Sequence, residues 1–440
     1  MKYDFAVVGA IILSAHNSYK PFIGAVAVNG EDIAYVGEEY ISPRDCANII
    51  DGSGKILMPG LVNGHCHGDM AMAKGLGDDL TLLEQNEAFS DSGWFSKYIS
   101  DDDRFYARQL SYCEALLSGT TFIAENMYWS LGARSVEAMK SVGIRGALVE
   151  DVRYDFSRPE ELLSDKDISE FAQSCREQGI VPVLGSVSEE DFKLPLLQKV
   201  KTLMERHEIV ETCHLAETTW RVEKVLKEQG ASPVAFLYDN GLLGENLIGS
   251  HVVHLTDKEV ASLAETGTKV VNTPLCEMKI CDGIAPIPKM LEEGVCVCLG
   301  TDGAMWNNSN DIFREMKGMS LLHSINSGVG SISKKEILDM ATINGAKAFG
   351  LEKLYGTIEK GKKADFILVE TASAHMQPLA LGKHENVCSA IIYSATGSDV
   401  SDVFVNGKHL VENKELKGTD LNFIINKVLE ASSKVRQHLI

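Results

Sequence analysis

The run LVNGHCH, residues 61–67, follows Met58-Pro59-Gly60, and its reading decides the fold. It is apolar at its start, too short for a helix, and ends in two histidines one residue apart. In a strand, residues two apart face the same side, so His65 and His67 would point together. A short apolar run bounded by turn residues reads as a strand covered on both faces. By itself His-x-His leaves two readings open, half of a metal site or two polar residues alternating on a strand.

Seven further runs have the same grammar: TTFIAEN (120–126), RGALVEDV (145–152), IVPVLGSV (180–187), EIVETCHLAE (208–217), NLIGSHVVH (246–254), TKVVNTP (268–274) and VCVCLGTD (295–302). Helical patterns such as DDDRFYARQLSYCEALLSG and SPVAFLYDNGLLG lie between them. Eight β/α repeats predict an α/β fold, a (β/α)8 TIM barrel. A doubly wound open sheet is the alternative, but no G-x-G-x-x-G follows a strand.

The chain ends read differently. Asn29-Gly30 between GAVAV and DIAYVG signals a hairpin, as does Asn406-Gly407 in SDVFVNGKHLVENKEL. YGTIEKGKKADFILVE also has the look of a hairpin. The expected organisation is residues 1–58 and 356–415 as two parts of one small β-sandwich domain, 59–355 as the barrel inserted between them, and 416–440 as an amphipathic C-terminal helix.

Composition narrows the function. The formal net charge of −20 over 440 residues argues against a nucleic-acid partner, which requires a basic face. No stretch reaches the roughly 18 apolar residues that span a bilayer, so no membrane partner is expected. The N-terminal apolar run, without a polybasic segment before it, reads as a strand rather than a signal peptide. The ten cysteines form no paired C-x-x-C modules, and free thiols in a reducing cytoplasm account for them.

Chemistry-bearing residues end several runs. His65 and His67 end the first, His214 the fifth with Glu217 three residues on, His251 and His254 the sixth, and Asp302 the eighth. Each has a bland reading as a strand-end polar residue, a solvated carboxylate or a helix cap. In a barrel, however, these ends converge on one mouth, where barrel enzymes place their active groups. His251 and His254, three apart, cannot share a strand face, so only one is expected to point inward.

MPGLVNGHCH, HLAET, HVVHLTDKE, GIAPIPKMLEEGVCVCLGTDGAMWNN and GTIEKGKKADFILVE together resemble the amidohydrolase superfamily, most closely its deaminase and chlorohydrolase branch. That branch includes S-adenosylhomocysteine and methylthioadenosine deaminases and triazine hydrolases. The resemblance implies one divalent metal ion held by His65, His67, His214 and Asp302, with Glu217 as proton shuttle and His251 steadying the reacting water or transition state. Asp302 would also act in catalysis by accepting the water's proton. The fourth run supplies no lysine, which favours one metal over two. Zn2+ fits this donor set, and imidazole also suits Fe2+. Such an ion lowers the pKa of its water to about 7, giving a hydroxide that attacks a ring C–NH2 carbon and releases ammonia. The implied function is a hydrolytic deaminase of a small heterocycle of purine, pterin, pyrimidine or triazine type. Displacement of chloride or an alkylamine at the same site is the alternative, and a non-enzymatic ligand-binding relative a more distant one. The resemblance also implies a homodimer.

The sequence departs from the adenosine-type pattern behind the first run. Gln85 takes the place of a tryptophan, no ribose-binding glutamate follows, GSVSEED replaces a GPHAPY-like stretch, and Cys276-Glu277 replaces Ser-Asn. Gln85, Glu125, Arg153, Glu277 and Trp306, near the predicted strand ends, are the candidate substrate contacts; solvated loop residues are the competing reading. Trp94, Trp129 and Trp220 read as packing residues, and the methionines of GDMAMAKG as core or pocket wall.

Overall fold

The computed structural model describes residues 2–127, 130–153, 161–185 and 189–438. Trp129 and the end of the fourth run, 186–187, lie outside the described residues. The eight runs form strands β1 Leu61–Cys66, β2 Thr120–Asn126, β3 Arg145–Asp151, β4 Val181–Gly185, β5 Val210–Leu215, β6 Leu247–His251, β7 Lys269–Asn272 and β8 Val297–Leu299. They make one sheet in sequence order, with parallel pairing from β3 through β8. Residues of β1, β2 and β6 are buried throughout, as strands covered on both faces must be.

Just past β8, the N–H groups of Thr301 and Asp302 both donate to the carbonyl of His65 on β1 at 3.0 Å. This joins last strand to first at the C-terminal end, giving a (β/α)8 barrel rather than an open sheet. Gly300 permits the approach: a Cβ there would stand 2.9 Å from the Cβ and carbonyl oxygen of His65.

A second sheet draws on both chain ends. Lys55–Pro59 pairs antiparallel with Phe366–Glu370, and Tyr3–Ile12 and Val400–Val405 continue the sheet on either side. The expected turn at Asn406-Gly407 is present, with φ of 51° and 70°, the left-handed pair that a two-residue hairpin needs. The first hairpin turns one residue later than the dipeptide signal, over 30–31, with Gly30 at φ 59°. YGTIEKGKKADFILVE is not a hairpin. Only Phe366–Glu370 is a strand, because its first half holds Gly356 and Gly361 at φ 87° and 92° and has few apolar residues to bury.

The chain divides into two compact units. One comprises residues 1–63, 113–122 and 311–420, with Val7, Val26, Leu57, Phe366, Leu368 and Phe404 in its core. The other comprises 64–112, 123–310 and 421–440. Within it, the C-terminal helix Leu421–Gln437 buries Val428, Ala431 and Val435 against Met70, Met72, Phe95 and Trp306. Among the described residues no helix is long and apolar enough to cross a membrane.

Candidate active site

The ends of β1, β5, β6 and β8 bring their polar residues together in the second unit. The His65 ring lies 5.0 Å from that of His67, 4.9 Å from His214 and 5.2 Å from His251, centre to centre. Asp302 Oδ1 stands 3.5 Å from His65 Nε2 and 3.4 Å from His67 Nε2. Bonds of about 2.0–2.1 Å at tetrahedral angles set ligand atoms about 3.3 Å apart, so the observed spacing suits a zinc-sized cation.

The histidines are oriented from behind. His67 Nδ1 lies 2.7 Å from the carbonyl oxygen of Asn126. A carbonyl only accepts, so the His67 proton sits on Nδ1 and the Nε2 lone pair faces Asp302. The Asn126 side-chain amide and the Ser250 hydroxyl flank His65 Nδ1 at 2.9 and 3.0 Å. Burial lowers the His65 pKa to about 4 and holds that of His214 well below the ordinary value, leaving both rings neutral and able to ligate. Burial opposes ionisation of Asp302, but the neighbouring imidazoles, His65 first, outweigh this and hold it well below the carboxylate range.

His251 behaves oppositely. Burial alone would lower its pKa, yet Glu217, Glu277 and Asp302 raise it to about 10. Its Nε2 lies 3.8 Å from Glu217 Oε1 and has no hydrogen-bond partner among the described residues. Its Nδ1 meets Thr273 Oγ1 at 3.0 Å, with Glu277 Oε1 at 3.7 Å. Both His251 and Asp302 hold left-handed backbone, φ 69° and 59°. For non-glycine residues that costs on the order of 1–3 kcal/mol, a strain typical of active-site positions.

The cavity in front of these groups is lined by His67, His214, Glu217 and Asp302 and walled by Leu82, Trp94, Met127, Val149 and Trp306, with Asn86, Asp151, Arg153 and Arg221 among its polar residues. Arg153 is gripped by Asp151 through two hydrogen bonds of 2.9 and 2.7 Å. Trp306 meets the His67 ring edge-to-face at 5.4 Å, and its indole N–H has no partner among the described residues.

The other three candidate substrate contacts do not line the cavity. Gln85 is buried and donates to the carbonyls of Gly77 and Leu80. Glu125 accepts from the Gly68 N–H at 2.9 Å and the Cys66 thiol at 3.4 Å, and lies 3.5 Å from Arg108 Nε. Glu277 accepts from the Asn272 amide and the Thr273 N–H. A buried carboxylate takes the nearest N–H donors, and in each case those lie behind the site. His254 also stays outside the cavity, half-buried with Nε2 3.5 Å from Thr219 Oγ1.

Sequence reasoning missed Trp94, whose ring lies 6.0 Å from that of Trp306 across the cavity wall. It also missed Asn126, Ser250 and Thr273. The available signal was position: each is a polar residue at or near the end of an apolar run, next to a predicted functional residue or one strand away from it.

The sequence pattern of the amidohydrolase family matches residues 56–410. A 5'-deoxyadenosine deaminase of Methanopyrus kandleri is 35% identical over 87% of this chain and 88% of its own. A 5-methylthioadenosine/S-adenosylhomocysteine deaminase of Syntrophomonas wolfei is 33% identical over 88% and 89%. Among solved structures, a zinc-bound adenosine deaminase from Xanthomonas campestris superposes with a TM-score of 0.89 over 99% of both chains, at 24% identity. A zinc complex of atrazine chlorohydrolase from Arthrobacter aurescens gives 0.84 over 97% of this chain and 100% of that one, at 21% identity. These two are likenesses of fold.

Proposed function

The chain belongs to the amidohydrolase family, and from that premise we propose that it is a hydrolytic deaminase releasing ammonia from an aminated nitrogen heterocycle. The observation that carries the reading is the convergence of His65, His67 and Asp302 in one group at ligand spacing and of His65, His214 and His251 in another, beside the Glu217 carboxylate. His65, His67, His214 and Asp302 would hold one divalent ion, zinc by the donor set, with iron the other candidate. When bound, the ion supplies the Lewis acidity that makes water a nucleophile at neutral pH.

The chain's own groups do the rest. Asp302, held ionised, takes a proton from the attacking water. Glu217 Oε1 carries one of the water's two protons to the ring nitrogen beside the attacked carbon, and the other, taken up by Asp302 as C=O forms, goes to the departing amine, which leaves as ammonia. The bare Nε2–H of His251 donates to the oxygen on which negative charge develops. Trp94, Trp306, Leu82 and Met127 exclude water from the faces of a flat ring.

The activities named for the relatives support an adenosine-type aminopurine as substrate. Displacement of chloride or an alkylamine is the second reading. It is favoured by Gln85, which turns away from the cavity where adenosine-type relatives are expected to carry a tryptophan. Ten free cysteines support a reducing cytoplasm as the setting. The test is an ammonia-release screen over aminopurines, adenosine thioethers, pterins and triazines, with halide release followed in parallel and bound metal measured on the same sample. Full activity after exhaustive chelation, or halide release without ammonia, would refute the primary reading.

A further inference from the structure

Arg221 has no part in the chemistry above, yet it lines the cavity beside Glu217. It sits in the first turn of the helix Thr219–Gln229. A cation there opposes the helix macrodipole, so something else holds it in place. Its Nη1 donates to Glu217 Oε2, and its Nε donates to Glu190 Oε1 at 2.7 Å. Its side chain is only 14% exposed.

The segment carrying Glu190 grips Glu217 a second time. The N–H of Glu217 donates to Glu189 Oε1 at 3.3 Å. This is the GSVSEED stretch that replaces the GPHAPY-like sequence of adenosine-type relatives. Glu217 is thus tied at its backbone by Glu189 and at one carboxylate oxygen by Arg221, itself tied to Glu190. The free oxygen, Oε1, faces His251 Nε2. An unpinned carboxylate rotates about Cγ–Cδ and exchanges its two oxygens; with Oε2 held, that rotation is blocked.

We infer that Arg221 is a positioning residue for proton transfer at Glu217: it fixes Oε2 and so presents Oε1 to the reacting atoms, with Glu190 holding Arg221 in turn. Arg221 keeps its own protons throughout, and the mobile proton travels on Oε1 alone. The inference rests on the deaminase reading in one respect, that Glu217 carries the proton.

The test compares Arg221→Gln and Arg221→Lys in the metal-loaded enzyme, each with Glu217 intact and with Glu217→Gln. Loss of the clamp should lower kcat about 100-fold with KM within about threefold, since the effect runs through one acid–base group. Lysine, keeping the charge but losing the fork, should recover about tenfold of that. With Glu217→Gln already present, Arg221→Gln should cost less than about threefold more, as coupled residues are not additive. Equal losses in both backgrounds overturn the inference. Arg221→Lys and the paired Arg221→Gln/Glu190→Gln variant serve if Arg221→Gln fails to fold. A readout independent of turnover is the crystal structure of the variant: Oε1 displaced from His251 Nε2 supports the clamp, and an unmoved Glu217 overturns it. A wild-type protein that releases no ammonia from any heterocycle sinks the deaminase reading alone, and the position of Glu217 then still decides the clamp.

Discussion

Arg108→Met removes a cation from a place water does not reach. Arg108, Asp69 and Glu125, the last of them on β2, are all fully buried. Arg108 Nη2 donates to Asp69 Oδ2 at 3.0 Å, its Nη1 to Ser135 Oγ at 3.1 Å, and its Nε lies 3.5 Å from Glu125 Oε1. Methionine fills much of the side chain's volume, so the loss is mainly electrostatic. Breaking a buried ion pair by deleting one partner costs about 3–5 kcal/mol, because the remaining charge is left uncompensated. At about 2.1 cal/mol/K per residue, 440 residues carry an unfolding entropy near 0.9 kcal/mol/K, so the thermal midpoint should fall by about 3–5 °C.

The deficit should depend on pH in a fixed direction. Burial and the neighbouring Asp69 push the Glu125 carboxyl up to about 8, against the pull of Arg108. Between an unfolded value near 4.5 and that folded value, the native state holds a proton that the unfolded chain has released. Stability from this group is therefore fully present below the unfolded pKa and is lost as pH rises through the folded one. Without Arg108 the folded pKa moves higher still, so the loss continues to higher pH than in the wild type, and the variant's deficit should be larger at pH 8 than at pH 5. Urea unfolding at both pH values measures it. A deficit under about 1 kcal/mol, or one that grows toward acid, would show that Arg108 is not what stabilises the two carboxylates.

Two further outcomes concern the site itself. Glu217→Gln should lower kcat by about 10²–10⁴ while metal stoichiometry stays unchanged, whereas a ligand-binding relative would bind as before. Asn126→Ala removes the amide behind His65 but keeps the carbonyl behind His67, so metal affinity in chelator competition should fall by about 10–100-fold; unchanged affinity would mean that Ser250 orients His65 alone.

The barrel was legible because its cause is local. A parallel strand covered on both faces must be a short apolar run, and LVNGHCH, TTFIAEN and VCVCLGTD satisfy that condition whatever surrounds them. The convergence of His65, His67, His214, His251 and Asp302 was legible for a related reason: strand ends of a closed sheet meet at one mouth, so residues more than two hundred apart could be placed together once the repeats were counted. The sequence also showed that only one of His251 and His254 could face inward, and the structure selects His251.

Side-chain destinations off the strands were not legible, because they are settled by which donors the fold brings nearby. Glu277 and Glu125 occupy positions where a substrate contact was a fair expectation. Both instead turn to N–H groups created by the folding of Thr273 and Gly68, and a buried carboxylate with a donor at 3 Å has no reason to reach into a cavity. Trp94 is the converse case, since nothing in its neighbourhood in the chain marks it as a partner for Trp306. Arg221 combines both lessons. It lies four residues past Glu217, which precedes the helix, and nothing in that spacing marked the pair. Glu190 arrives from another strand's loop to complete the grip, and it is this second contact that turns an ion pair into a fixed support for a reacting group.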